Sequence, residues 1–134
     1  MTDNQSIVMI VDDDDSIRKA ARRLMKSFGF AVETFASAEE FLGSERLGKT
    51  SCLILDVQMP GMDGLELQKH LVASSYAIPI IFITAFNDDR ARAEAMEAGA
   101  VGYLTKPLDD AEFLDCIHAA LKLPEHDASP PTQS

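Results

Sequence analysis

Positive charge is what this sequence has least of. Lys and Arg together number 12 against 22 Asp and Glu, a formal net charge of −10 over 134 residues. Phosphate backbones are held by clustered Lys and Arg, so direct nucleic-acid contact by this chain is not expected. An anionic membrane surface is disfavoured for the same reason, whereas cations are attracted. Cysteine is nearly absent. Cys52 and Cys116 lie outside any CxxC or Cys/His cluster, which argues against a zinc site and suggests two buried small hydrophobes in a reducing compartment. Long apolar runs are missing too: the longest, Tyr76 to Phe86, is too short for a bilayer and contains Pro79. The first six residues lack the basic and apolar regions of a secretion signal. A cytoplasmic protein without a membrane partner is expected. No GxGxxG, P-loop or GxSxG motif occurs, so nucleotide binding and a hydrolase elbow are unsupported. His70, His118 and His126 have no partners at metal-ligand spacing. No repeat of solenoid length is present.

What remains is an ordinary globular composition, 46% apolar and 25% charged, long enough for a core without staples. Strand and helix patterns alternate. Ile7 to Val11 is a short apolar run typical of a fully buried strand, and it leads into Asp12-Asp13-Asp14-Asp15. Ile17, Ala20, Ala21, Leu24, Met25 and Phe28 recur at helical spacing. Phe30 to Phe35 alternates like a strand, and Ser37-Ala38-Glu39-Glu40 predicts a capping box opening a second helix. Cys52 to Leu55 is a buried strand ending at Asp56, followed by a loop over 58–64 and a third helix through Leu71 and Val72. Pro79 to Thr84 is a fourth strand, and Asn87 or Asp88 caps a fourth helix through Met96. Val101 to Thr105 is a fifth strand. A second capping box at 109–112 opens a fifth helix with Phe113, Leu114, Ile117, Ala120 and Leu121 on its apolar face. Buried strands alternating with helices predict an α/β fold with a doubly wound parallel sheet covered on both faces. Residues 1–6 read as a short arm, 7–123 as the domain, and the Pro- and Ser-containing 124–134 as a disordered tail or linker.

Ligands of such sheets bind outside the carboxyl ends of the strands. That rule selects Asp12 and Asp13 after the first strand, Asp56 after the third, Thr84 closing the fourth and Lys106 just past the fifth. Taken singly, each has a plainer role: an acidic loop and helix cap, a turn residue, a strand-end hydroxyl, a surface lysine. Asp14 and Asp15 are assigned to the capping role. Together they describe a pocket. At about 4 Å and an effective dielectric near 20, each close carboxylate pair costs roughly 4 kcal/mol. A hard divalent cation such as Mg²⁺, with its preference for oxygen ligands, relieves that repulsion, and Lys106 adds a second positive charge. A carboxylate flanked by a metal and a lysine suits phosphoryl transfer.

These residues resemble the receiver domain of two-component response regulators, over about 7–123. The resemblance rests on Ile-Val-Asp-Asp-Asp at 10–14, Leu-Asp-Val-Gln-Met-Pro-Gly-Met-Asp-Gly at 55–64, Ile-Thr-Ala at 83–85 and Gly-Tyr-Leu-Thr-Lys-Pro at 102–107. It implies a (βα)5, flavodoxin-like fold with strand order 2-1-3-4-5. It implies Asp56 as phosphoacceptor, with Asp13 binding Mg²⁺ directly, Asp12 acting through water and the Gln58 backbone carbonyl completing the set; Mn²⁺ would substitute. Lys106 and Thr84 would contact the phosphoryl group, Ala85 would leave room beside it, and Thr84 and Tyr103 would form the switch. The Lys106–Pro107 bond is expected to be cis. Gln58 and Phe86 would tune self-dephosphorylation. The implied partner is a sensor histidine kinase or phosphotransfer protein, with a homodimer through the face of the fourth helix, fifth strand and fifth helix.

Two other chemistries fit less well. A Mg²⁺-dependent phosphohydrolase needs a second acid near the nucleophile, and the position two past Asp56 is Gln58. A flavin module needs a hydroxyl- and glycine-bearing phosphate loop where this sequence places four carboxylates. The phrases at 35–42 and 99–107 look most like receivers that precede a helix-turn-helix output domain. Either a stand-alone module or a receiver ending in its linker is compatible with the tail.

Overall fold

A computed structural model describes residues 6–86 and 88–122. The expected tail, Asn87 and most of the N-terminal arm lie outside them. Five strands and five helices alternate: β1 (Ile7–Val11), α1 (Asp15–Ser27), β2 (Ala31–Phe35), α2 (Ala38–Leu42), β3 (Cys52–Asp56), α3 (Gly64–Ala73), β4 (Ile80–Thr84), α4 (Asp89–Glu97), β5 (Gly102–Thr105) and α5 (Asp110–Lys122). A 3-10 turn at Leu47–Lys49 occupies part of the link between α2 and β3.

All neighbouring strand pairs are parallel, in the order β2-β1-β3-β4-β5. The three inner strands β1, β3 and β4 are buried at every position, which is why they read as continuous apolar runs rather than alternating ones. The edge strand β2 is only half-buried throughout, and there the sequence does alternate. Successive residues point to opposite faces. Met9, Val11, Leu53, Leu55 and Phe82 pack with Phe41 of α2, Leu67 and Leu71 of α3, and Ala91 and Ala95 of α4. Val8, Ile10, Cys52, Ile54, Ile81 and Ile83 pack with Ala21 and Met25 of α1 and Phe113, Ile117 and Ala120 of α5.

The helix starts differ in detail from the sequence reading. Ser37 accepts from the Glu40 backbone N–H, but Glu40 turns its carboxylate to the N–H of Ala36, so the expected reciprocal box is displaced by one residue. A reciprocal box forms instead at Asp63 and Glu66, opening α3. Asp109 accepts from the Glu112 N–H. Asp14 caps α1, accepting from Ser16 and Ile17, and Asp88 caps α4. Cys52 is buried, and desolvation above all pushes its thiol up to about 12, so it packs as a hydrophobe. Cys116 is only half-buried, because it lies on the flank of α5 rather than in its fully inward row.

Candidate functional site

The parallel register brings the carboxyl ends of β1, β3, β4 and β5 to one edge. Val11 pairs with Leu55, Asp56 with Ile83, and Thr84 with Thr105. Asp12 follows β1, Asp56 and Thr84 close their strands, and Lys106 is one residue past β5. Positions 22 to 94 residues apart in sequence therefore meet without any long side chain but the lysine.

Lys106 is the centre of that meeting. Its Nζ lies 3.0 Å from Asp12 Oδ2 and 3.4 Å from Asp56 Oδ2, and only 15% of its side chain is exposed. Asp12 is fully buried. Its Oδ1 accepts from the Asp14 N–H at 2.8 Å, while its Oδ2 is buried with no hydrogen bond, since the lysine contact is close but poorly aligned. Asp13 is exposed. Carboxylate oxygens of Asp12, Asp13 and Asp56 lie within 4.8 Å of one another.

Asp56 is buried and accepts from the Gln58 backbone N–H at 3.3 Å. Burial, then the negative charge of Asp12, push its carboxyl up to about 6, with Lys106 and the Gln58 N–H opposing the rise. Burial pulls the Lys106 ammonium down, but its contact with Asp12 and the charges of Asp56 and Asp12 outweigh that, so the net shift is upward. Three carboxylates and one ammonium leave two uncompensated negative charges.

The residues present fit a hard divalent cation. The donors are all oxygen, the surplus charge matches, and Asp12 Oδ2, in ionic contact with Lys106 but without a hydrogen bond, is a buried acceptor of the kind that a metal ion or its water satisfies. Gln58 itself is exposed, immediately after the buried Val57.

Thr84 is buried. Its hydroxyl oxygen accepts from the Phe86 N–H at 3.1 Å, which leaves the O–H proton available, and its carbonyl accepts from the Lys106 N–H at 2.7 Å. Ala85 and Phe86 are exposed beyond it. The Lys106–Pro107 peptide is cis. Tyr103 sits deeper, paired with Phe82 in register, so it is set back from the carboxylates. Its ring tilts against Phe82 with centroids 6.2 Å apart and lies 5.9 Å under the Arg92 guanidinium. It is 6% exposed, and its hydroxyl is buried without a partner among the described residues. Burial, then Asp88, push that hydroxyl's pKa up. Beside the site, α1 and the start of α5 enclose an apolar cleft of about 490 Å³, lined in part by Ile17, Leu24, Pro107, Leu108 and Phe113.

Three residues support the site, and two of them, Arg18 and Glu39, escape a motif-based reading. Arg18 donates to the Asp12 carbonyl at 2.7 Å and pairs with Asp15, so it braces the acidic turn from the first turn of α1. Glu39, exposed on α2, accepts from the Met62 N–H at 3.1 Å across the loop that follows Asp56. Gly64 packs against the strand end: a Cβ there would lie 2.3 Å from the Asp56 carbonyl oxygen. Only Gly64 left a signal, as the last residue of the 55–64 motif.

Comparison with known proteins agrees with this arrangement. The family model for the response regulator receiver domain matches residues 8–118. Response regulator protein TodT of Pseudomonas putida is 44% identical over 123 residues, covering 92% of this chain and 54% of TodT. Among solved structures, the response regulator StyR superposes with a TM-score of 0.82 at 46% identity, covering 88% of this chain and 60% of that one. The crystal structure of FixJ-N superposes with a TM-score of 0.80 at 34% identity, covering 97% of this chain and all of that one. The chain spans about half the length of the curated relatives it matches, TodT among them.

Proposed function

The chain belongs to the response regulator receiver domain family, and we propose that within it Asp56 is the residue that accepts a phosphoryl group, from a sensor histidine kinase or phosphotransfer protein. The observation that carries this is the convergence of Asp12, Asp13 and Asp56 on one oxygen-lined pocket closed by Lys106. Receiver domains are signalling modules, and the family binds Mg²⁺ at such an acidic pocket.

In this reading the Asp56 carboxylate attacks phosphorus in line. A P–O bond forms as the P–N bond to the donor's imidazole breaks, and the imidazole leaves with the electron pair. When bound by Asp12, Asp13, Asp56 and the Gln58 backbone carbonyl, Mg²⁺ (or Mn²⁺) supplies neutralisation of the charge on the transferring group. Lys106 already rests against the Asp56 carboxylate and follows the charge onto the phosphoryl oxygens. Thr84 donates its free proton to another of those oxygens, which draws its hydroxyl away from the Phe86 N–H. Ala85 keeps the approach open, and the exposed Gln58 and Phe86 stand where they can govern water access and the lifetime of the product. Tyr103 and Thr84 together bias the face of α4, β5 and α5, a population shift and not a new fold. That face is our candidate for homodimerisation. The receiver boundaries are assigned at 7–123, the location is assigned to the cytoplasm, and no direct nucleic-acid contact is assigned to this chain. No helix among the described residues is long and apolar enough to cross a membrane.

The test is chemical mapping. Incubated with acetyl phosphate, the wild type should carry one phosphoryl group on Asp56, located by mass spectrometry, only when Mg²⁺ is present. Asp56→Ala should take up none. A phosphoryl group on another residue, or labelling undiminished in EDTA, refutes the assignment.

A further inference from the structure

The loop 57–63 leaves β3 at the phosphoacceptor and enters α3 at Gly64. Its base is closed by the Gly64 N–H donating to the Val57 carbonyl at 2.9 Å, and its far end by the Asp63–Glu66 capping box. Both are local. Its first residue is also fixed across the sheet, where the Val57 N–H donates to the Ile83 carbonyl at 3.0 Å, and its far half is reached by the side chain of Glu39, 23 residues earlier on α2, whose Oε2 accepts from the Met62 N–H. Gly61 makes that approach feasible. Its φ of +76° is a conformation that side chains disfavour, and a Cβ there would sit 3.0 Å from the same Glu39 oxygen. The helix cap of α2 does not require Glu39, because Ser37 and Glu40 make its hydrogen bonds.

We propose that Glu39 is a positioning residue: it docks the loop after Asp56 onto α2 and so holds the backbone at Gln58 ready to serve the metal site. The proposal rests on the reading of Asp56 as phosphoacceptor and of the Gln58 carbonyl as part of the Mg²⁺ site. Glu39 touches neither the phosphoryl group nor the ion. It limits the conformations from which the loop must be gathered when the ion binds, and it does so through its acceptor oxygen, not its charge.

The experiment compares the wild type with Glu39→Ala, Glu39→Gln and Glu40→Ala, the last removing a neighbouring carboxylate that does not reach the loop. Amide hydrogen exchange of Met62 reads the tie itself. Titration of the Gln58 amide resonance with MgCl₂ reads the site without phosphorylation. The Mg²⁺ concentration for half-maximal labelling by acetyl phosphate reads the reaction. Losing the hydrogen bond from the Met62 N–H should raise both Mg²⁺ midpoints about three- to tenfold in Glu39→Ala and free the Met62 amide. Glu39→Gln, which keeps an acceptor oxygen, should restore both, and Glu40→Ala should match the wild type. Wild-type midpoints in Glu39→Ala with a freed Met62 amide overturn the proposal. Equal effects of Ala and Gln also overturn it, in favour of a charge effect. Failure of the phosphoacceptor reading shows separately, as no labelling of Asp56 in the wild type while the amide and titration readouts still report on Glu39.

Discussion

Asp56 holds its proton more tightly than a free carboxylate because burial and Asp12 both disfavour its ionised form. The folded protein therefore binds more protons than the unfolded chain between the ordinary value of 3.8 and about 6. By linkage, this group makes metal-free stability fall as pH rises through that window. The raised Lys106 acts elsewhere: its contribution is present below 10.5 and is lost at more alkaline pH. In EDTA, Asp56→Asn should thus be more stable than the wild type at pH 7.5 and no more stable near pH 4, measured by thermal unfolding. A gap independent of pH would contradict the electrostatic account. Lys106→Ala leaves Asp12 and Asp56 facing each other without their cation. It should lose stability in EDTA, recover most of it with excess Mg²⁺, and still be labelled poorly by acetyl phosphate; folding loss that Mg²⁺ does not repair would place Lys106 in the core rather than the site. Asp12, Asp56, Thr84 and Lys106 were legible because each follows or ends a strand, a property of the local pattern. Arg18 and Glu39 were not, because each acts through the reach of a long side chain to a backbone atom, which no spacing rule encodes.

The acidic run at 12–15 divides its labour between strand end and helix start. Asp12 is buried at the site, Asp13 projects toward it, Asp14 caps α1 and Asp15 pairs with Arg18 and Lys19. Asp14→Ala should therefore cost about 1 kcal/mol in urea unfolding with Mg²⁺ binding nearly unchanged. Asp13→Ala should do the reverse, weakening Mg²⁺ binding with little loss of stability. Gly64→Ala forces a Cβ against the Asp56 carbonyl at the α3 start, and should cost about 1–3 kcal/mol and slow phosphorylation as the strand end is displaced. Wild-type stability in that variant would mean that the loop yields more readily than its contacts imply. At this scale the sequence reading located all ten elements, since apolar runs and helical periods are strong signals. It missed what short-range competition decides. Glu40 prefers the Ala36 N–H to its own cap, and the Asp63–Glu66 box lay hidden in a stretch whose Pro60, Gly61 and Gly64 announced only a loop.

Across the whole molecule, a parallel sheet places every strand's carboxyl end on one side, and the order β2-β1-β3-β4-β5 sets Asp56 centrally between the acidic turn after β1 and Thr84. Periodicity alone predicts the parallel sheet and its two covered faces. The particular strand order came from the family resemblance, because a buried apolar strand carries no label for its neighbour. On the proposed reading the same topology would link chemistry to response. Thr84 holds the Phe86 N–H by its hydroxyl and the Lys106 N–H by its carbonyl, so a phosphoryl group captured by Thr84 would act on the segment just after β4 and on the end of β5 together.

Trace Mn²⁺ added to isotopically labelled protein tests the central claim most directly, since paramagnetic broadening marks where the ion sits. The amides of Asp13, Asp14, Val57 and Gln58 should broaden first, and excess Mg²⁺ should restore them. Broadening centred on another acidic segment, such as Asp88 and Asp89, or spread evenly over the surface, would contradict a metal pocket built from these strand ends.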